Sequence, residues 1–312
     1  MPALHRQMPS VDVAMIGHFA LDRLIFGGRE ETSPGGSVYY GALALRRMGL
    51  SVAVITRLRE TDFPRLEELR AAGVLVYAHP AAETSGIENT YLSQDMDRRL
   101  CRPLGFAGPF RREDLPEPSA RTFIVGPIIA GEVDIPLVEA LSRRAPVALD
   151  AQGFVRVRKR DDLVFQDWSE KARGLALVQV LKVDAAEAEV LTGRTDLHQA
   201  ARILAEYGPR EIVLTHASGL LVLAQRRYFQ APWTSRQLSG RTGRGDTCLA
   251  AYVGKRLETS PEEACRFAAA LTSLKMETPG PFRGTMEDVQ ARLTQATRQE
   301  RLEPSWRNSH DL

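Results

Sequence analysis

The sequence predicts an α/β fold with a central, mostly parallel sheet and a small β lid. Two observations carry that expectation. Short apolar strands alternate with amphipathic helices, and glycines mark the stops. The rhythm breaks once, between residues 83 and 112, where two alternating segments follow each other with no helix between them. Composition agrees: 312 residues with 44% hydrophobic and 26% charged side chains are enough for one large domain or two smaller ones, and argue against disorder.

Val11-Asp12-Val13-Ala14-Met15-Ile16 reads as a buried strand ending in a turn at Gly17. A second strand covers 21–26 and breaks at Gly27-Gly28. Pro34-Gly35-Gly36 opens a helix over 37–48, which Gly49 closes. A strand over 52–56, a helix over 64–72 and a strand over 74–77 follow. Thr90-Tyr91-Leu92-Ser93 and Arg99-Leu100-Cys101-Arg102 alternate like exposed antiparallel strands. Residues 21–33 and 89–108 therefore form the expected lid. The rhythm resumes with a strand over 122–126, a helix over 136–143 and a strand over 147–150. Residues 156–162 read as a charged, solvated loop. Next come a strand over 177–181, helices over 185–191 and 197–207, and a strand over 211–215. Residues 220–224 and 227–231 suggest an antiparallel pair at the sheet edge. Helices over 248–256, 261–276 and 286–298 complete the chain, and 301–312 is expected to fray. No repeat or Pro/Ser linker interrupts 11–300, so a single domain with a lid is expected.

Several function classes are disfavoured. Lys+Arg 41 against Asp+Glu 39 leaves a net charge of +2, too little for a nucleic-acid-binding surface. Lys159, Lys171, Lys182, Lys255 and Lys275 are the only lysines, and the other basic residues are arginine. The three cysteines, Cys101, Cys248 and Cys265, show no zinc or redox spacing and fit a reducing, cytoplasmic setting. Cys248 reads as a small packed residue. The six histidines are scattered. Residues 1–10 lack a signal-peptide core, and no apolar run approaches the roughly 18 residues that span a membrane. Walker-type, dinucleotide and hydrolase-elbow glycine motifs are missing from the sequence.

Chemistry concentrates in Gly240-Arg241-Thr242-Gly243-Arg244-Gly245-Asp246-Thr247, just ahead of a helix. Glycines let consecutive N–H groups converge on a ligand, and a helix start adds a positive dipole end. Such a loop suits phosphate. Asp246 fits there as a base that takes a proton from an attacking alcohol. Spacing alone fits equally a Gly-rich turn in which Asp246 caps the helix.

In these residues the chain resembles the ribokinase-like (PfkB-type) carbohydrate kinases, over about residues 11–284. That family's signature runs Asp-Thr-x-Gly-Ala-Gly-Asp. Gly243, Gly245 and Asp246 match it, Arg244 replaces Ala, and Gly240-Arg241 replace Asp-Thr. Gly17, Asp22 and the Gly35-Gly36 pair fall where the family has its substrate-binding Asp and glycines. A carboxylate accepts well from vicinal hydroxyls, and Gly-Gly lets a sugar ring lie close. Tyr40 stands where the family often has a substrate-contacting Asn, which leaves the acceptor class open. Asp184-Ala185-Ala186-Glu187 matches Asn-x-x-Glu, whose residues organise magnesium in the family; a helix cap with Glu187 in a capping box is a compatible reading. The turn Thr215-His216-Ala217-Ser218-Gly219 is similar to the family's nucleotide turn, one residue shorter and without its middle Gly.

The resemblance implies a three-layer α/β/α sandwich and an ATP- and Mg²⁺-dependent kinase acting on a sugar, nucleoside or cyclitol such as inositol. Asp246 would be the base, with Gly243, Arg244 and Gly245 as the anion hole. Asp22, Gly35, Gly36 and Tyr40 would meet the acceptor. Thr215, Gly219 and Thr242 would meet the nucleotide, and Asp184 and Glu187 the metal. Asn89, Arg98 and Arg99 are lid candidates for substrate contact, in a lid that closes to exclude water. A monovalent cation and a homodimer through the lid are further implications left open. The alternative is a non-catalytic sugar- or nucleotide-binding protein that keeps the fold; Arg244 and the altered turn favour it, and retention of Asp246 speaks against it.

Overall fold

Strand β1 (Val11–Ile16) sets the layering. Val13 and Met15 pack into one hydrophobic core, and Ala14 and Ile16 into a second, so the strand is covered on both faces. The structure, a computed structural model, describes residues 10–26, 29–91, 99–115, 119–160 and 162–302. Within them the other strands are β2 (Ala20–Phe26), β3 (Arg29–Gly35), β4 (Val52–Arg59), β5 (Leu75–Ala81), β6 (Gly86–Tyr91), β7 (Arg99–Gly105) and β8 (Ala120–Val125). They continue as β9 (Val147–Asp150), β10 (Arg156–Lys159), β11 (Asp162–Phe165), β12 (Val180–Asp184), β13 (Glu211–Thr215), β14 (Gly219–Ala224) and β15 (Arg227–Pro232). The helices are α1 (Ser37–Arg47), α2 (Glu67–Ala71), α3 (Ile135–Ser142), α4 (Gln152–Val155) and α5 (Lys171–Leu175). They end with α6 (Ala185–Thr192), α7 (Leu197–Glu206), α8 (Arg244–Arg256), α9 (Pro261–Met276) and α10 (Met286–Leu302).

Among the described residues, the main sheet has nine strands in the order β15-β14-β13-β12-β9-β8-β1-β4-β5. From β13 to β5 every neighbour is parallel. The antiparallel β14 and β15 close one edge, as predicted. Helices α1, α8 and α9 contribute to one core, and α3, α6 and α7 to the other. This is a three-layer α/β/α sandwich. The chain runs from β1 outward to β5, then returns to β8 and builds in the opposite direction. That reversal opens a crevice at the carboxyl ends of β1 and β8, the place where open parallel sheets bind ligands.

The segments predicted as a lid lie in a four-stranded sheet, β3-β2-β6-β7. The β6–β7 pair is antiparallel, as expected, whereas β2 joins β6 in parallel. Gly27, Gly28, residues 92–98 with Arg98, and the tail from 303 onward lie outside the described residues.

Several element boundaries differ from expectation, four of them instructive. The helix over 64–72 begins as a 3-10 turn, Glu60–Leu66, around Pro64 and becomes α-helical only at Glu67; proline fixes φ and donates no hydrogen bond. Residues 156–162 are not a plain loop, because β10 and β11 pair antiparallel. The strand placed at 177–181 is β12 at Val180–Asp184; the Leu177 and Val178 amides close a turn onto Gly174 and Leu175 instead. This shift centres Lys182 in the strand. Helix α8 starts at Arg244, so Gly245 and Asp246 lie in its first turn. None of the described helices is long and apolar enough to cross a membrane. Cys101, Cys248 and Cys265 are free thiols, and burial pushes the Cys248 thiol up to about 12.

Candidate active site

The crevice holds a cleft of about 290 Å³. Its walls come from the carboxyl ends of parallel strands: Gly126 and Pro127 after β8, Gln152 after β9, Lys182 and Asp184 on β12, and Thr215 on β13. Two helix N-termini meet it. Gly36 precedes α1 with φ 87°, and Gly243 precedes α8 with φ 79°, a region that favours glycine. Neither helix has a side-chain cap; the Arg244 amide closes a turn onto the Arg241 carbonyl at 3.1 Å, which leaves the Gly243 and Gly245 amides to meet an anion at the start of α8. A Cβ on Gly243 would also strike the Tyr40 ring.

Residues 240–243 are fastened from behind. The Gly240 amide donates to the Met276 carbonyl at 2.9 Å. Lys275, 1% exposed, donates its Nζ to the Gly240 carbonyl at 2.6 Å and also to the Thr242 carbonyl. The same ammonium lies 5.1 Å from the centre of the Tyr40 ring. Tyr40 lines the cleft, but its ring is buried between the Gly243 backbone and Lys275.

Asp246 sits in the first turn of α8 and faces the cleft, as does Asp22. Burial, and then the neighbouring Asp150 carboxylate, push Asp246 up from 3.8 to about 6, against the pull of Lys182. Such a carboxylate is suited to take a proton near neutrality. Asp22 on β2 accepts from the Ile87 amide at 2.9 Å and packs its other oxygen against Gly35. Gly35 itself therefore supports Asp22, while Gly36 lines the cleft. Asn89 on β6 is 6% exposed, lines the cleft and accepts from Cys101 Sγ at 3.2 Å.

Asp184 and Glu187 form the predicted capping box. The Glu187 amide donates to Asp184 at 2.8 Å, and the Asp184 amide donates to Glu187 at 2.7 Å. They do not share a water-facing surface. Asp184 lines the cleft, whereas Glu187 is 1% exposed, with its second carboxylate oxygen, Oε1, lacking any partner. Among the described residues no group of three or more His, Cys, Asp or Glu is placed to hold a metal directly. One cleft carboxylate backed by a buried, under-satisfied one fits magnesium that keeps its waters.

Thr215, Thr242, Arg244 and Gly245 all reach the cleft, together with Arg241. Gly219 does not: it pairs with Pro232 in the β14–β15 ladder. The short turn before it is closed by the His216 amide on the Gly219 carbonyl at 3.0 Å. Trp233 packs over that turn, donating its backbone amide to Ser218 O at 3.0 Å and its indole N–H to His216 O at 2.8 Å.

Sequence reading missed Lys182, Asp150, Gln152, Arg156 and Lys275. Lys182, 3% exposed, pairs with Asp150 at 3.0 Å and Glu187 at 3.5 Å beneath Gly245. A signal existed: Lys182 interrupts Val180-Leu181-Val183, and Asp150 ends Val147-Ala148-Leu149. A charge inside a fully buried strand needs a partner. Arg156 carried no local signal and reaches the cleft from the β10–β11 ribbon.

A family model described as pfkB family carbohydrate kinase matches residues 18–287. A solved sulfate complex of a pyrophosphate-dependent kinase in the ribokinase family is 38% identical, with a TM-score of 0.84, covering 89% of this chain and 99% of its own. A pyrophosphate-dependent kinase in the ribokinase family, complexed with a pyrophosphate analog and myo-inositol, is 37% identical at a TM-score of 0.83, with the same 89% and 99% coverage. The cytidine kinase of Thermococcus kodakarensis is 26% identical over 271 residues, 82% of this chain and 92% of the relative.

Proposed function

The chain belongs to the pfkB family of carbohydrate kinases, and on that premise we propose that it moves a phosphoryl group from pyrophosphate to a hydroxyl of a cyclitol such as myo-inositol. The observation that carries this reading is a small cleft that sets four basic side chains beside the carboxylates of Asp22, Asp184 and Asp246. Arg156, Lys182, Arg241 and Arg244 line about 290 Å³ together with two uncapped helix N-termini. A compact, highly charged donor matches that arrangement. ATP, the donor expected from the sequence, would need a nucleotide seat, but the turn expected to provide one is covered by Trp233 and keeps Gly219 out of the cleft. Relatives at 37–38% identity that use pyrophosphate support the same choice.

In the proposed reaction Asp22, Asn89 and the Gly36 backbone hold the acceptor. Asn89, whose amide oxygen is taken by Cys101, offers its NH₂ to a hydroxyl. Asp246 takes the hydroxyl proton as the acceptor oxygen bonds to phosphorus. The bond to the bridging oxygen breaks, and orthophosphate leaves. Backbone N–H groups of Gly243 and Gly245 stabilise the charge on the transferring group, with Lys182, Arg241 and Arg244 around it. Magnesium would be held at Asp184, through water, with Glu187 behind it; when bound it neutralises phosphate oxygens.

The test is formation of acceptor phosphate, followed by mass spectrometry, with pyrophosphate, ATP or CTP as donor and myo-inositol, ribose or cytidine as acceptor. Pyrophosphate with myo-inositol should exceed any nucleotide donor at least about tenfold in kcat/KM. Turnover with nucleoside triphosphates alone would overturn the donor. Preference for cytidine would overturn the acceptor. Donor binding without turnover on any acceptor would favour the non-catalytic alternative.

A further inference from the structure

Among the described residues, Lys275 is a buried ammonium whose hydrogen-bond partners are main-chain carbonyls. Its Nζ donates to Gly240 O at 2.6 Å and to Thr242 O, two alternate residues of the phosphate loop. It projects from the last turn of α9 and is not among the cleft-lining residues. Burial pulls its pKa down to about 8, with Asp246 pulling the other way. A buried charge without a close carboxylate is costly, so its place under this loop calls for a physical reason.

Peptide geometry supplies one. In a planar trans peptide the C=O and the following N–H point in opposite directions. The loop contains no cis bond. Drawing the Gly240 and Thr242 carbonyls onto one cation therefore turns the Arg241 and Gly243 N–H groups the other way. Arg241 and Gly243 both line the cleft. The Tyr40 ring completes the support, 5.1 Å from Nζ and against the Gly243 backbone. This also accounts for Tyr40 at a position where a substrate-contacting Asn was the expectation.

We propose that Lys275 is a positioning residue: its ammonium is a tethered cation that sets the phosphate loop for anion binding and makes a free monovalent cation unnecessary. The proposal rests on the phosphoryl-transfer reading of the cleft, not on which donor is used.

Two measurements test it. The first uses the unmodified protein, with turnover compared in sodium, potassium, ammonium and tetramethylammonium salts at one ionic strength. Rates within about twofold are expected, since the loop already holds its cation; activation of tenfold or more by potassium or ammonium would overturn the proposal. The second is calorimetric binding of inorganic pyrophosphate to Lys275→Met, which keeps the aliphatic stem and loses the charge. Pyrophosphate Kd should weaken at least about tenfold, the scale of lost hydrogen bonds to a charged group, while acceptor KM moves less than about threefold. Ammonium or potassium should restore part of the affinity. A folded variant with unchanged Kd would overturn the assignment, and if the variant does not fold the salt comparison decides. Wild-type protein that binds ATP and not pyrophosphate would remove the proposed donor, and the same titrations with ATP would still test Lys275.

Discussion

Lys182 Nζ lies 3.0 Å from the Asp150 carboxylate and joins the middle of β12 to the carboxyl end of the neighbouring parallel strand β9. Burial by itself would lower the pKa of Lys182, but Asp150, Glu187, Asp184 and Asp246 outweigh it and raise it. Lys182 therefore stays charged, and burial pushes Glu187 up. Replacing Lys182 with Met leaves two buried carboxylates unpaired. Urea unfolding at pH 8 should show a loss of about 3 kcal/mol, the usual cost of breaking a buried pair. The loss should shrink as pH falls through about 7, where Glu187 protonates, and donor KM should rise. Equal stability of variant and parent at pH 8 would remove the structural role of this pair.

Asp246→Asn should lower kcat at least about 100-fold with little change in donor affinity, the scale of a lost general base. In the parent, kcat/KM should climb with pH through about 6, where Asp246 ionises. Stability should move the other way. The folded-state pKa lies above the unfolded 3.8, so the carboxyl is best tolerated below pH 4, and stability is lost as pH rises through about 6. The Asn variant escapes that loss. It should be more stable at pH 8 by roughly 1–2 kcal/mol, after discounting for partial solvent screening. An inactive variant that is also less stable would show that Asp246 serves the fold.

Gly243→Ala and Gly245→Ala should separate fold from function. At Gly243 a Cβ meets the Tyr40 ring, with φ at 79°, so Ala should cost about 2 kcal/mol or more in thermal unfolding. At Gly245 the Cβ would sit 3.0 Å from Lys182 Nζ, which has to give by only a few tenths of an ångström and can keep its carboxylate partners. That variant should keep its Tm within a few degrees and lose donor affinity as Lys182 shifts. A fully active Gly245→Ala protein would place Lys182 outside donor binding.

The sequence by itself determined the layered sheet, its antiparallel edge, the Gly35-Gly36 and Gly243–Asp246 loops and the Asp184–Glu187 cap. Those features are local: strand and helix periods, glycine conformations and capping act within a few residues. Tertiary structure decided the rest. Lys182 and Asp150 are 32 residues apart, and Lys275 is 35 from Gly240. No local pattern predicts that they meet. Right-handed crossovers return each parallel strand in the same direction, so distant charges gather where the carboxyl ends align. The same stacking turned Glu187 into the interior and Tyr40 against Gly243. A capping box leaves the direction of its buried face open, because that direction is set by the layer the helix packs on.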